Sequence, residues 1–207
     1  MDKIADRLAV IDQVLAHPPQ VHCSEQSGAA PGGVWGADVD CYRFLAEWSR
    51  PGALTLETGL GISTVLFAAW RTRHTCVVPY QPEVDRCVEY CRDRGLSTET
   101  IRFEVAPSDL VLPTLAPTPL DVVFIDGGHG FPTAIIDWYY GAARLREDGI
   151  LVIDDVNLAS VYHGLIDFLD CDPRWQALEG TSKWRAYQRK SAGPLAEEWT
   201  AQKWLTA

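Results

Sequence analysis

Four side chains in the middle of this sequence carry its densest chemistry. Within Leu120 to Asn157, one apolar run ends on Asp126, a second ends on Asp154 and Asp155, and His129 stands three residues past the first of these acids. Both runs are rich in Val, Ile and Phe without alternation, as buried parallel strands are. Parallel neighbours joined by a right-handed helical crossover finish on one rim, where open α/β sheets bind their ligands. Carboxylates crowded there raise one another's pKa, so the cluster implies a shared proton, a basic partner or a bound cation. A cation is the expectation, and His129, with an ordinary pKa of about 6.5, suits a proton acceptor beside it.

A second chemical stretch is Glu57-Thr58-Gly59-Leu60-Gly61-Ile62-Ser63-Thr64, which follows a strand at Ala53 to Glu57 and opens a helix running to about Trp70. Glycines at such a turn let a ligand approach the backbone and the helix N-terminus. The dinucleotide fingerprint would place a third glycine at Thr64 and an acid at the end of the next strand. Both are missing, which argues against a nicotinamide dehydrogenase. The second strand ends Val78-Pro79-Tyr80-Gln81 instead, leaving Tyr80, Gln81, Glu83 and Asp85 open as substitutes. Glu57 suits a cationic or ammonium-bearing ligand; its alternative reading is a sheet-end acid that caps the helix.

The elements that must position these residues follow from the patterning. Ile4, Leu8, Ile11 and Leu15 predict a first helix, packed across the domain or on a partner subunit, so a homodimer is an expectation. Gln20 to Gly36, rich in Gly, Ser, Ala and Pro, reads as a flexible segment or a lid anchored by Trp35. Asp40 to Ser49 predicts a helix with Tyr42, Leu45 and Trp48 inward. Further strands are expected at His74 to Val78 and Ile101 to Val105, and helices at Pro82 to Arg94 and Val161 to Leu169. Trp175 to Leu178 and Trp184 to Arg189 read as an antiparallel edge pair. The predicted fold is a Rossmann-like, doubly wound α/β/α sandwich on a mostly parallel seven-stranded sheet. Residues 1–52 form N-terminal helices and a lid, 53–190 the ligand-binding domain, and 191–207 a helical tail with Leu195, Trp199, Trp204 and Leu205.

Composition narrows the partners. A chain of 207 residues with 47% hydrophobic content suits one well-buried domain. There is no apolar run of membrane-spanning length and no signal-peptide core, so a cytoplasmic protein without membrane contact is expected. A net charge of −10 disfavours nucleic acid, whose binding draws on Lys and Arg contacts to phosphate. The six cysteines include no CxxC pair and read as reduced structural thiols, with Cys87 and Cys91 on one helix face.

Glu57-Thr58-Gly59-Leu60-Gly61-Ile62-Ser63, Ala106-Pro107-Ser108-Asp109, Phe124-Ile125-Asp126-Gly127-Gly128-His129 and Ile153-Asp154-Asp155-Val156 together resemble the class I S-adenosylmethionine-dependent methyltransferases. Within that superfamily they look most like the catechol-type small-molecule O-methyltransferases and the related branch whose fourth strand ends Asp-Gly-Gly/Ser-His. The resemblance implies that Glu57, Thr58, Gly59, Gly61 and Ser63 bind the methionine side of S-adenosylmethionine. It places Ser108 near adenine and Asp126 beside the cofactor, with Tyr80 a candidate cofactor contact. It also implies a divalent metal, Mg²⁺ by its hard oxygen ligands, on Asp126, Asp154 and Asp155. Two departures stand out: Asp155 replaces the family's usual Asn, and Pro79-Tyr80 replaces its strand-end acid.

The function so implied is metal-assisted O-methylation of a small-molecule hydroxyl. Asp126 would hold the metal and His129 would act as general base. Alternatives are a metal-independent N- or O-methyltransferase, or a binding module that holds S-adenosylmethionine without turnover. Asp-Gly-Gly after the fourth strand, rather than Asn/Asp-Pro-Pro-Tyr, disfavours a base-modifying enzyme. Tyr162, His163 and Trp35 are candidate pocket residues.

Overall fold

The computed structural model describes residues 3–22, 33–191, 195 and 200. The expected tail helix, with Trp199, Trp204 and Leu205, lies outside the described residues, as does the middle of the glycine-rich segment.

Period-two burial on both faces builds the central sheet. In β4 (Leu120–Ile125), Val122 and Phe124 enter one core while Val123 and Ile125 enter the other; in β5 (Leu145–Ile153), Ile150 and Val152 oppose Leu151 and Ile153 in the same way. Each such fully buried side chain contributes roughly 1.5–3 kcal/mol, so these strands are fixed in register by both layers at once. With β1 (Leu54–Thr58), β2 (Arg73–Val78), β3 (Ile101–Val105), β6 (Trp175–Gly180) and β7 (Arg185–Arg189) they form one seven-stranded sheet in the order β3-β2-β1-β4-β5-β7-β6. β7 inserts antiparallel between β5 and β6, and the rest of the core is parallel.

One layer holds α1 (Ile4–Ala16), α2 (Val39–Trp48), α3 (Ile62–Ala69) and α4 (Gln81–Asp93). The first helix packs across its own domain: Ile11 and Val14 are buried, Arg7 Nε donates to Ala46 O at 2.8 Å, and Trp70 Nε1 donates to Arg7 O at 3.1 Å. Cys41, Cys76, Cys87 and Cys91 are reduced and buried in this layer. The other layer holds α5 (Ser108–Val111), α6 (Thr133–Ala142) and a helical run from Ala159–Val161 through a π turn at Tyr162–Ile166 to Asp167–Cys171. No helix among the described residues is long and apolar enough to cross a membrane.

The strand order reverses direction between β1 and β4. Their ends meet directly, Asp126 N donating to Thr58 O at 3.1 Å, and Gly59 N ties the same end to β2 by donating to Val77 O at 2.9 Å. Gly59 is required at that junction, since its φ is 92° and a Cβ there would stand 2.2 Å from Asp126 O.

Candidate active site

Above that junction opens a cavity of about 1000 Å³. Thr58 and Gly59 form its floor with Asp126, Gly127 and His129; Tyr80, Ser108 and Asp137 stand along one side, and Trp35, Asp154, Asp155 and Lys183 along the other. An opening of this size at the switch point of a parallel sheet is where such folds bind a nucleotide-like ligand.

Glu57 and Ser63, expected on the ligand, are instead placed behind the turn. Glu57 is fully buried and does not reach the cavity wall. Its Oε1 accepts a short hydrogen bond from the Thr64 hydroxyl and faces His74 Nε2 at 3.1 Å, while His74 Nδ1 pairs with the Thr55 hydroxyl at 2.8 Å. Gly61 N donates to Thr64 Oγ1 at 3.0 Å, so the chain Glu57–Thr64–Gly61 fixes the shape of the turn. Thr64, where the dinucleotide fingerprint has glycine, therefore acts as a strut. Cys76 completes this inner group by donating its thiol to Gly59 O at 3.2 Å; burial, and then the charge of Glu57, push that thiol well above its ordinary pKa.

The missing strand-end acid has a structural counterpart one turn later. Gln81 and Asp85 bond to each other on the exposed side of α4, whereas Glu83, in its first turn, is buried on the cavity wall. Its Oε1 lies 3.3 Å from His22 Nδ1, and the His22 ring stacks on Trp35 at 4.7 Å between centroids. An antiparallel bridge between His22 and Gly33 holds these two residues as a strap over the glycine turn.

At the opposite end stand the residues of the rim. His129 Nε2 lies 3.1 Å from Asp155 Oδ2, and the Ser160 hydroxyl donates to His129 O at 2.6 Å, so ring and backbone are both positioned. His129 Nδ1 is buried and has no partner in the protein. Burial lowers the His129 pKa below 6.5 and Lys183 adds to that, against the raising effect of Asp155 and Asp154, which favours the neutral ring. Asp155 takes φ 52°, a left-handed conformation that Asn and Asp tolerate best among side chains with a Cβ. That explains an Asn/Asp choice here on backbone grounds alone.

Lys183, which the sequence reading passed over, enters this rim. The register of β5 against β7 pairs Ile153 with Arg185; two further steps set Lys183 opposite Asp155, and Val156 N donates to Lys183 O at 2.8 Å. Its ammonium lies 3.5 Å from Asp154 Oδ2 and 3.9 Å from Asp155 Oδ1, and donates to Gly36 O at 2.7 Å. Burial pulls its pKa down, but Asp154, Asp155 and Asp38 outweigh this and hold it above 10.5. Asp126 and Asp154 are both raised, chiefly by burial; the neighbouring acids add to this and Lys183 opposes it.

The divalent ion expected on Asp126, Asp154 and Asp155 does not fit these donors. Among the described residues, the grouping of three His, Cys, Asp or Glu donor atoms within 4.8 Å of one another is Glu57, His74 and Cys76, whose atoms are enclosed and engaged in holding the turn. The three rim aspartates do not converge in that way. A divalent ion about 4 Å from the Lys183 ammonium would also be repelled by roughly 8 kcal/mol at an effective dielectric of about 20.

Of the residues expected at the ligand, Thr58, Gly59, Tyr80, Ser108, Asp126, His129, Asp154 and Asp155 line the cavity. Gly61 lies beneath the strap, where an added Cβ would come 3.8 Å from His22 Nε2. Trp35 lines the cavity too, whereas Tyr162 and His163 do not; His163 is exposed and pairs with Asp167 at 2.9 Å. Besides Lys183, the sequence reading missed His22 and Asp137, whose carboxyl is pushed up by burial against the Ser108 and Thr58 hydroxyls.

Residues 56–156 match a family described as "Methyltransferase domain". No curated protein matches the chain by sequence. Solved structures share the fold. Cofactor-bound Rv0187 from MTB is 20% identical with a TM-score of 0.58, covering 91% of each chain. The O-methyltransferase TomG from Streptomyces achromogenes, involved in tomaymycin synthesis and solved with SAM, is 15% identical with a TM-score of 0.62 over 92% of each chain. The SAH-bound Podospora anserina methyltransferase PaMTH1 is 14% identical with a TM-score of 0.62, over 90% of this chain and 88% of the other.

Proposed function

We propose that this chain is a class I S-adenosylmethionine-dependent methyltransferase, a reading that the match of residues 56–156 to a methyltransferase domain supports, and that it O-methylates a small-molecule hydroxyl with His129 as general base. The cofactor supplies an electrophilic methyl group on a sulfonium. The glycine turn takes its methionine end, Ser108 and Asp137 its adenine side, and Glu83 the ribose hydroxyls that a strand-end acid would otherwise accept. The observation that carries the proposal is the pair His129–Asp155, 3.1 Å apart on the cavity wall.

The His129 ring, neutral and beside Asp155, offers a nitrogen lone pair to the acceptor. The acceptor's O–H proton passes to that nitrogen as the oxygen forms its bond to the methyl carbon, and the electrons of the broken carbon–sulfur bond remain on sulfur. Methyl transfer of this kind needs alignment and a dry site, which the Trp35–His22 strap and the half-buried rim supply.

The test is turnover. Purified protein with S-adenosylmethionine and a panel of phenols, catechols, alcohols and amines should release S-adenosylhomocysteine with hydroxyl acceptors and yield O-methyl products by mass spectrometry. Cofactor binding without turnover on any acceptor points to a binding module, and N-methyl products alone reject the oxygen assignment.

A further inference from the structure

The rim aspartates do not converge on one point as ion ligands would, and the Lys183 ammonium approaches two of them at 3.5 and 3.9 Å. We infer that the Lys183 ammonium supplies the positive charge at this rim, so that the chain works without a metal and Lys183 both holds Asp154 and Asp155 and faces the acceptor oxygen. This rests on the methyltransferase reading above and adds to it a residue and a cofactor independence.

The lysine is placed by the fold and is no roaming surface side chain. Its carbonyl accepts from Val156 N at 2.8 Å, its own N–H donates to Thr181 Oγ1 at 3.0 Å, and its neighbour Trp184 is buried beside Phe44 at 5.5 Å between ring centroids. The antiparallel insertion of β7 next to β5 therefore delivers one cation directly opposite the acids that end β5. One of its N–H groups is committed to Gly36 O at 2.7 Å. The carboxylates at 3.5 and 3.9 Å lie at or beyond the limit of hydrogen bonding, so they attract the ammonium without saturating it. A remaining N–H is left for an oxygen that gains negative charge as its proton departs to His129, which is the role an oxyanion donor plays.

Two measurements on the full chain decide it. Titration with Mn²⁺, followed by electron paramagnetic resonance, should show no stoichiometric site in the native protein, while Lys183→Met should gain one because two carboxylates lose their cation. Turnover should persist in EDTA. Lys183→Met should lower kcat about 100-fold with S-adenosylhomocysteine affinity unchanged, and Lys183→Arg should restore most of it. A stoichiometric Mn²⁺ site in the native chain, or activity abolished by EDTA and restored by Mg²⁺, overturns the inference. If no acceptor turns over, the methyltransferase reading fails but the Mn²⁺ titrations still decide the placement of charge. Should Lys183→Met fail to fold, Lys183→Gln and the native titration carry the same decision.

Discussion

Two groups of acids sit at the ends of adjacent strands, and they do opposite work. Glu57, at the end of β1, is sealed behind the glycine turn with the Thr64 hydroxyl and His74 around it. Asp126, Asp154 and Asp155, at the ends of β4 and β5, face the cavity with His129 and Lys183 between them. The inner acid is committed to neighbours that cannot leave, so its charge shapes the backbone. The rim acids share ionisable partners and an opening, so theirs is available to a ligand. Position at a strand end thus does not set an acid's role; what lies on the far side of it does.

That contrast can be broken most sharply at His129. His129→Ala should lower kcat by about 10² to 10⁴ with little change in S-adenosylhomocysteine affinity or in melting temperature, measured by steady-state kinetics and calorimetry. An unchanged kcat would leave the rim without a chemical role. The inner acid should behave the other way round. Glu57→Ala leaves His74 facing an emptied site and should cost about 3–5 kcal/mol in denaturant unfolding, whereas Asp155→Asn, which keeps the left-handed backbone type on a partly exposed side chain, should stay within about 1 kcal/mol. Equal losses from the two would erase the distinction.

A pH profile sharpens the comparison further. The His129 pKa is lowered from 6.5 by burial, and only the neutral ring accepts a proton, so activity is complete above that lowered value and is lost as pH falls through it. kcat/KM should be flat from pH 7 to 8, with its acid limb below 6.5, about tenfold per pH unit at the foot. A limb centred above 7 would assign the proton to another group. The smallest expected effect is at the cofactor end: Glu83→Gln should weaken S-adenosylhomocysteine about tenfold by calorimetry, about 1.4 kcal/mol, and Asp85→Asn should not change it.

Much of the scaffold is legible in the sequence because buried strands declare themselves. Val122–Ile125 and Ile150–Ile153, which lead to Asp126 and Asp154, are apolar at every position since both faces are covered, and Ile101–Val105 is found to the residue. The antiparallel pair is also legible from its aromatic residues, Trp175, Trp184 and Tyr187. Its consequence is not. Lys183 lies just past the Glu179-Gly180-Thr181-Ser182 connection, far in sequence from Asp155, and only the insertion of β7 beside β5 makes the two neighbours. The signal available was the three-acid cluster itself, which admits a basic partner as readily as a metal. Glu57 was harder still, because a carboxylate before a glycine turn reads the same whether it points up at a ligand or down into the fold. Its burial depends on His74 from the next strand, a pairing that no local pattern records.

Cys76 illustrates what enclosure does near an electrophile. A sulfonium methyl donor is indiscriminate toward soft nucleophiles, and sulfur in its anionic form is the softest that a side chain offers. This thiol lies directly beneath the turn proposed to receive the donor, with its hydrogen bonded to the Gly59 carbonyl. Kept neutral and walled off, it holds its proton where ionisation would invite self-alkylation. The protein can thereby carry a reactive element next to its own reagent and remain unmodified.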